Sequence, residues 1–109
     1  MDQLANMHCT RSTDKKLLDI SIIEKYIQQI MNWQKIHDNT AIWRRIEFKN
    51  FKQTMFFVNA IAYICEQECH HPDVRLGYNY CEITFTTHEL NGLSENDFIC
   101  AAKINKLLS

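Results

Sequence analysis

The 109-residue chain is 46% hydrophobic and 23% charged, a balance that fits one folded domain and excludes disorder throughout. Its two glycines, Gly77 and Gly92, lie too far apart for a phosphate-cradling glycine loop. A net charge of −1, with no Lys/Arg run longer than two, argues against a dedicated nucleic-acid binder, and no stretch of about 18 apolar residues is present to cross a membrane.

Residues 1–12 are polar and aperiodic, which predicts a flexible tail ahead of a single domain over 13–109. His8 and Cys9 fall in that tail and are too few for a metal site on their own. The N-terminus has no apolar signal core, and the five cysteines are an odd number. Together these predict reduced thiols in a cytoplasmic protein.

Ser21-Ile22-Ile23-Glu24 reads as a capping box, and Ile23, Ile27 and Ile30 follow at helical spacing. The first helix is therefore expected from about Ile22 to Met31. Trp33 and Ile36 alternate with polar residues, Asp38-Asn39-Thr40 is turn chemistry, and Ile42, Arg44, Ile46 and Phe48 alternate again. This predicts a β-hairpin.

Phe51 to Cys69 is the longest helical signal. One stripe runs through Phe51, Met55, Val58, Ala62 and Cys65, and a second through Phe57, Ala60, Ile61 and Ile64. A single stripe suffices to pack on a sheet, so the second predicts a further covered surface, such as another subunit. Pro72 stops the helix near His70-His71.

Asp73 to Thr87 reads as two strands with a turn near Tyr78-Asn79, Asn91-Gly92 as a turn, and Ser94 as the N-cap of a last helix. Phe98, Ala101, Ala102, Ile104 and Leu108 form its expected buried face. The resulting fold class is α+β: a four-stranded antiparallel sheet with three helices on one face.

His70 and His71 close the long helix, and His88 follows the last strand. Histidine titrates near neutrality, so it can give or take a proton. The plainer reading of a His-His pair is a cap on helix carbonyls. A zinc site from Cys65, Cys69, His70, Cys81 and His88 is the competing chemistry, but paired C-x-x-C knuckles are missing. Cys100 reads as a packing residue.

Phe48-Lys49-Asn50-Phe51, Glu66-Gln67-Glu68-Cys69-His70-His71-Pro72-Asp73, Tyr78-Asn79, Thr86-Thr87-His88-Glu89 and Gly92-Leu93-Ser94-Glu95-Asn96-Asp97 occur in this order. With these stretches, over roughly residues 22–108, the chain resembles the pterin-4a-carbinolamine dehydratase family. The resemblance implies dehydration of 4a-hydroxytetrahydrobiopterin to quinonoid dihydrobiopterin, with no metal or other cofactor. It implies a catalytic set of His70, His71 and His88, with His71 the most sensitive. It implies that Glu66, Cys69, Pro72, Thr86, Thr87 and Glu89 bind the pterin and that Glu66 also orients a histidine. Cys69 stands where an acidic residue is common in the family, Val74 where an aromatic residue is common, and Asn91 where a small one is common. The resemblance also implies homodimers or homotetramers, built through a sheet edge and the long helix, and a link to aromatic amino acid hydroxylases. The alternative function is a non-enzymatic interaction module on the same fold.

Overall fold

The computed structural model describes residues 3–11 and 13–109. In chain order the elements are α1 (Ile20–Ile27), β1 (Gln34–Ile36), β2 (Ala41–Glu47), α2 (Phe51–Glu68), β3 (Asp73–Leu76), β4 (Tyr80–Phe85) and α3 (Glu95–Leu108). Short 3-10 turns cover Leu4–Asn6 and His88–Leu90. The sheet is antiparallel throughout, in the order β1-β2-β4-β3.

Alternation along β2 and β4 sorts the two faces. Ile42, Ile46, Cys81, Ile83 and Phe85 point into the core, where the helices cover them. Ile42 pairs with Phe85 and Ile46 with Cys81, so the apolar residues stack in register. The opposite face is charged: Arg45 contacts Glu82 at 3.0 Å and lies over the Tyr80 ring at 4.1 Å. Such exposed ion pairs add about 0–1 kcal/mol each. Burial of Phe85, Phe98, Ile30, Ile61 and Ile99 carries the fold, at about 1.5–3 kcal/mol for each large side chain.

The expected fold class and order of elements agree with this architecture, and several boundaries differ for identifiable reasons. Asp19, not Ser21, caps α1: its carboxylate accepts from Ile22 N at 3.0 Å, and Ser21 Oγ donates to it at 2.7 Å. The helix ends at Ile27 rather than Met31. The hairpin turn places His37, Asp38 and Asn39 at positive φ, a region that Asn, Asp and His tolerate better than most residues.

Asn50 caps α2 by accepting from Gln53 N at 2.9 Å. Its inward stripe is Thr54, Ile61, Cys65 and Glu68, so two polar residues lie where only apolar ones were expected. The outward face exposes Phe51, Phe56 and Tyr63, the last two at 65% and 67%. An apolar groove of about 340 Å³ opens between Phe48, Phe57, Ala60 and Leu107. Leu108, expected in the core, is 38% exposed in the last turn of α3.

The tail expectation is corrected over 3–11. Leu4 and Cys9 are buried in the main core, and Lys103 Nζ donates to Ala5 O at 2.7 Å. Met1, Asp2 and Ser12 lie outside the described residues. No helix among the described residues is long and apolar enough to cross a membrane.

Candidate active site

Cys69 decides where the two adjacent histidines point. It ends α2 in the left-handed conformation, φ 55°. Cys69 N donates to Glu66 O, and His70 N to Cys65 O, both at 3.2 Å, the paired bonds of a Schellman stop. The chain therefore turns two residues earlier than Pro72 alone would require. His70 goes inward and is buried, while His71 goes outward with its side chain 62% exposed.

His70 is held on two sides. Its ring stacks on Phe85, with centroids 5.8 Å apart and planes 8° from parallel. Its Nε2 lies 2.6 Å from Asp97 Oδ1. An ionised carboxylate only accepts, so in this contact Nε2 carries the proton and donates it. Asp97 is fully buried. Its Oδ2 accepts from Ser94 N at 2.9 Å and from the Thr87 hydroxyl at 2.8 Å. Ser94 and Asp97 thereby close a capping box on α3, whose positive N-terminal end favours the carboxylate. One side chain both starts a helix and fixes a histidine.

The same carboxylate reaches the segment that carries His88. Thr87 N donates to Gly92 O at 2.8 Å, and Asn91 turns the chain at φ 53°. His88 is thus presented, exposed, on a closed loop whose base is the Thr87–Asp97 bond. On the other side, His71 Nε2 lies 2.9 Å from Glu66 Oε1, one turn back along α2.

The remaining expected site residues divide between surface and frame. Glu66, Cys69 and Glu89 are exposed and Pro72 is half-buried. Lys15 pairs with Glu89 and, as its hydrogen-bond donor, holds that carboxyl below the usual range. Thr86 Oγ1 donates to Thr40 O at 2.6 Å, which ties the strand end to the hairpin. Thr87 is fully buried, and its hydroxyl donates to Asp97 Oδ2 at 2.8 Å.

The zinc alternative asks for ligands that diverge. Cys65 and Cys81 are buried in the core and Cys69 is on the surface. Among the described residues no three His, Cys, Asp or Glu side chains are grouped as a metal site.

A family model described as pterin 4 alpha carbinolamine dehydratase matches residues 16–107. The chain belongs to that family. A Legionella pneumophila (strain Corby) protein, provisionally named pterin-4-alpha-carbinolamine dehydratase, is 62% identical over 76 residues, covering 70% of this chain and 67% of its own. A Nitrosomonas eutropha protein with the same provisional name is 52% identical over 85 residues, covering 78% and 74%. Among solved structures, a transcriptional coactivator/pterin dehydratase from Brucella melitensis superposes with a TM-score of 0.82 at 31% identity, over 86% of this chain and all of the other. A pterin dehydratase-like protein identified as a RuBisCO assembly factor of the alpha-carboxysome superposes with a TM-score of 0.61 at 26% identity, over 70% and 88%.

Within this dehydratase-family chain, reading the sequence had missed Asp97 as a site residue. The available signal was the spacing Ser94-x-x-Asp97 at a helix start, which commits the carboxylate to a buried position beside the preceding loop.

Proposed function

We propose that the chain dehydrates 4a-hydroxytetrahydrobiopterin to quinonoid dihydrobiopterin. The C4a–O bond breaks as an imidazolium protonates the departing hydroxyl, which leaves as water. The N5–H proton passes to a neutral imidazole, and its electron pair forms the N5=C4a double bond. Atoms and charge balance with no further reactant, so two histidines in opposite protonation states suffice. His71 and His88 are the exposed members of the set, and His70 is the buried one whose ring orientation Asp97 fixes.

The observation that carries this reading is the relay from His70 through Asp97 to Thr87. It ties the end of α2, which bears His70 and His71, to the loop that bears His88. Glu66, Cys69, Pro72 and Glu89 are the proposed pterin contacts, with Thr86 and Thr87 as their frame.

The exposed Phe51, Phe56 and Tyr63 on α2, and the unpaired edge of β3, support self-association as a dimer or tetramer. The described thiols are all free, which supports a reducing, cytoplasmic setting. The link to aromatic amino acid hydroxylases is part of the same proposal and follows from membership of the dehydratase family. The neighbour identified as a RuBisCO assembly factor keeps the interaction-module reading as the competitor. Following 4a-hydroxytetrahydropterin loss by absorbance separates them. Acceleration over the spontaneous reaction by the purified protein supports the enzyme, and none supports the module.

A further inference from the structure

Residues 4–11 and 13–18 run behind the proposed site and touch each segment that builds it. At the end of α2, Glu68 is buried, and its carboxylate accepts from Cys9 N at 2.7 Å and meets His8 Nδ1 at 2.9 Å. Arg11 donates to Gln67 O beside it. At the start of α3, Asn96 clamps Thr10 through both amide atoms. Thr10 N donates to Oδ1 at 2.9 Å, and Nδ2 donates to Thr10 O at 2.8 Å. At the His88 loop, Lys15 pairs with Glu89 and Leu18 N donates to Leu93 O at 2.9 Å. Leu17 lies so close over Gly92 that a Cβ there would come within 2.5 Å of its Cδ1.

Glu68 is two residues before His70, and Asn96 is one residue before Asp97. The two clamped side chains therefore flank the buried His70–Asp97 pair from both partners' elements. Lys103 of α3 also reaches the Glu68 carboxylate, at 3.8 Å, so Glu68 joins the strap to both helices. Buried hydrogen bonds of this kind fix position more firmly than apolar packing, because slippage leaves groups unpaired.

We propose that the N-terminal strap sets the His70–Asp97 geometry, with Glu68 and Asn96 as positioning residues for the reaction. The proposal rests on the dehydratase reading only for its kinetic consequence. Release of the strap lets the end of α2 move against α3, and the His70 ring loses its fixed angle. A small misplacement of this sort lowers turnover more than binding.

The test compares the full-length chain with Asn96→Ala, Glu68→Ala and Glu68→Gln. Hydrogen exchange at the Cys9 and Thr10 amides reads strap release. Nitrogen NMR of the His70 ring, without substrate, reads its tautomer and hydrogen bonding, and steady-state kinetics read kcat and KM. In whichever alanine variant keeps the wild-type circular dichroism, the strap amides exchange faster and the His70 ring-nitrogen signals shift. There kcat falls about tenfold while KM stays within about twofold. Glu68→Gln keeps an acceptor for Cys9 N and restores most of kcat. Unchanged His70 signals or unchanged kcat in a variant whose strap amides exchange freely overturns the proposal, as do strap amides that stay protected in both alanine variants. If the wild type shows no dehydration, the dehydratase reading fails, and the His70 signals alone decide the strap.

Discussion

Asp97 Oδ1 lies 2.6 Å from His70 Nε2, and both side chains are buried. The pair spans 27 residues of sequence and joins the end of one helix to the start of another. Because Asp97 also caps α3 and accepts from Thr87, a change there acts on fold and site together.

Asp97→Ala is expected to cost about 3–5 kcal/mol of stability, the usual result of removing one member of a buried pair. Asp97→Asn keeps the shape but can hold His70 in the wrong tautomer, so kcat falls at least about tenfold with a much smaller loss of stability. Urea unfolding beside steady-state kinetics checks both. Equal losses of stability in the two variants would remove the tautomer explanation.

His71 presents the opposite case. Its side chain is 62% exposed and pairs with an exposed Glu66. His71→Ala should change stability by no more than about 0.5 kcal/mol. It should still lose activity by a factor of about 100 or more, the contribution of a positioned general acid or base. A thermal melt and a rate measurement on one sample give both numbers.

The thiols should separate by burial. Cys9, Cys65 and Cys100 cluster in the core, with Cys9 Sγ 3.6 Å from Cys100 Sγ. Hydrogen bonding to Cys65 and Cys9, with burial, pushes the Cys100 thiol up. Burial pushes Cys81 up to about 11. Cys69 alone is exposed. Iodoacetamide at pH 8 should therefore modify Cys69 at least about tenfold faster than the other four, as read by peptide mass spectrometry. Rapid labelling of Cys9 in the folded chain would contradict its place in the core.

Acid should loosen the strap. Burial by itself would raise the Glu68 carboxyl. The Cys9 N–H, His8 and Lys103 outweigh it and hold the group below the ordinary value of 4.5. The folded chain then binds fewer protons at Glu68 than the unfolded chain. That stabilisation is complete above about pH 4.5 and is lost as pH falls through the folded-state value. Glu68→Gln should flatten the acid limb of the stability curve below about pH 4.5, measured by denaturant titration at each pH. An acid limb identical to wild type would assign the loss to other carboxylates.

The elements set by periodicity were legible in the sequence. Thr54, Ile61 and Cys65 keep α2 on the sheet, although its inward stripe includes polar Thr54 and Glu68. Ser94 was readable as a cap because its hydroxyl and Asp97 satisfy each other's neighbours. The N-terminal strap was not legible: it is held by side-chain bonds from Glu68, Asn96 and Lys103, far away in sequence, and such bonds leave no local pattern. Asp19 was not singled out because Ser21 and Glu24 offered the same capping chemistry two residues later; in the structure Ser21 instead donates to the Asp19 carboxylate. His70 and His71 were readable as a pair. Their opposite orientations depend on the left-handed Cys69, a conformation that residue type alone does not announce.

The central claim is that histidines at the end of α2 and after β4 dehydrate a 4a-hydroxytetrahydropterin. It is tested most directly by following the decay of that compound with wild-type protein and with His71→Ala at matched, folded concentrations. The wild type should accelerate the decay well above the spontaneous rate, and His71→Ala should retain no more than about 1% of that acceleration. Decay at the spontaneous rate with wild type, or full acceleration with His71→Ala, would contradict it.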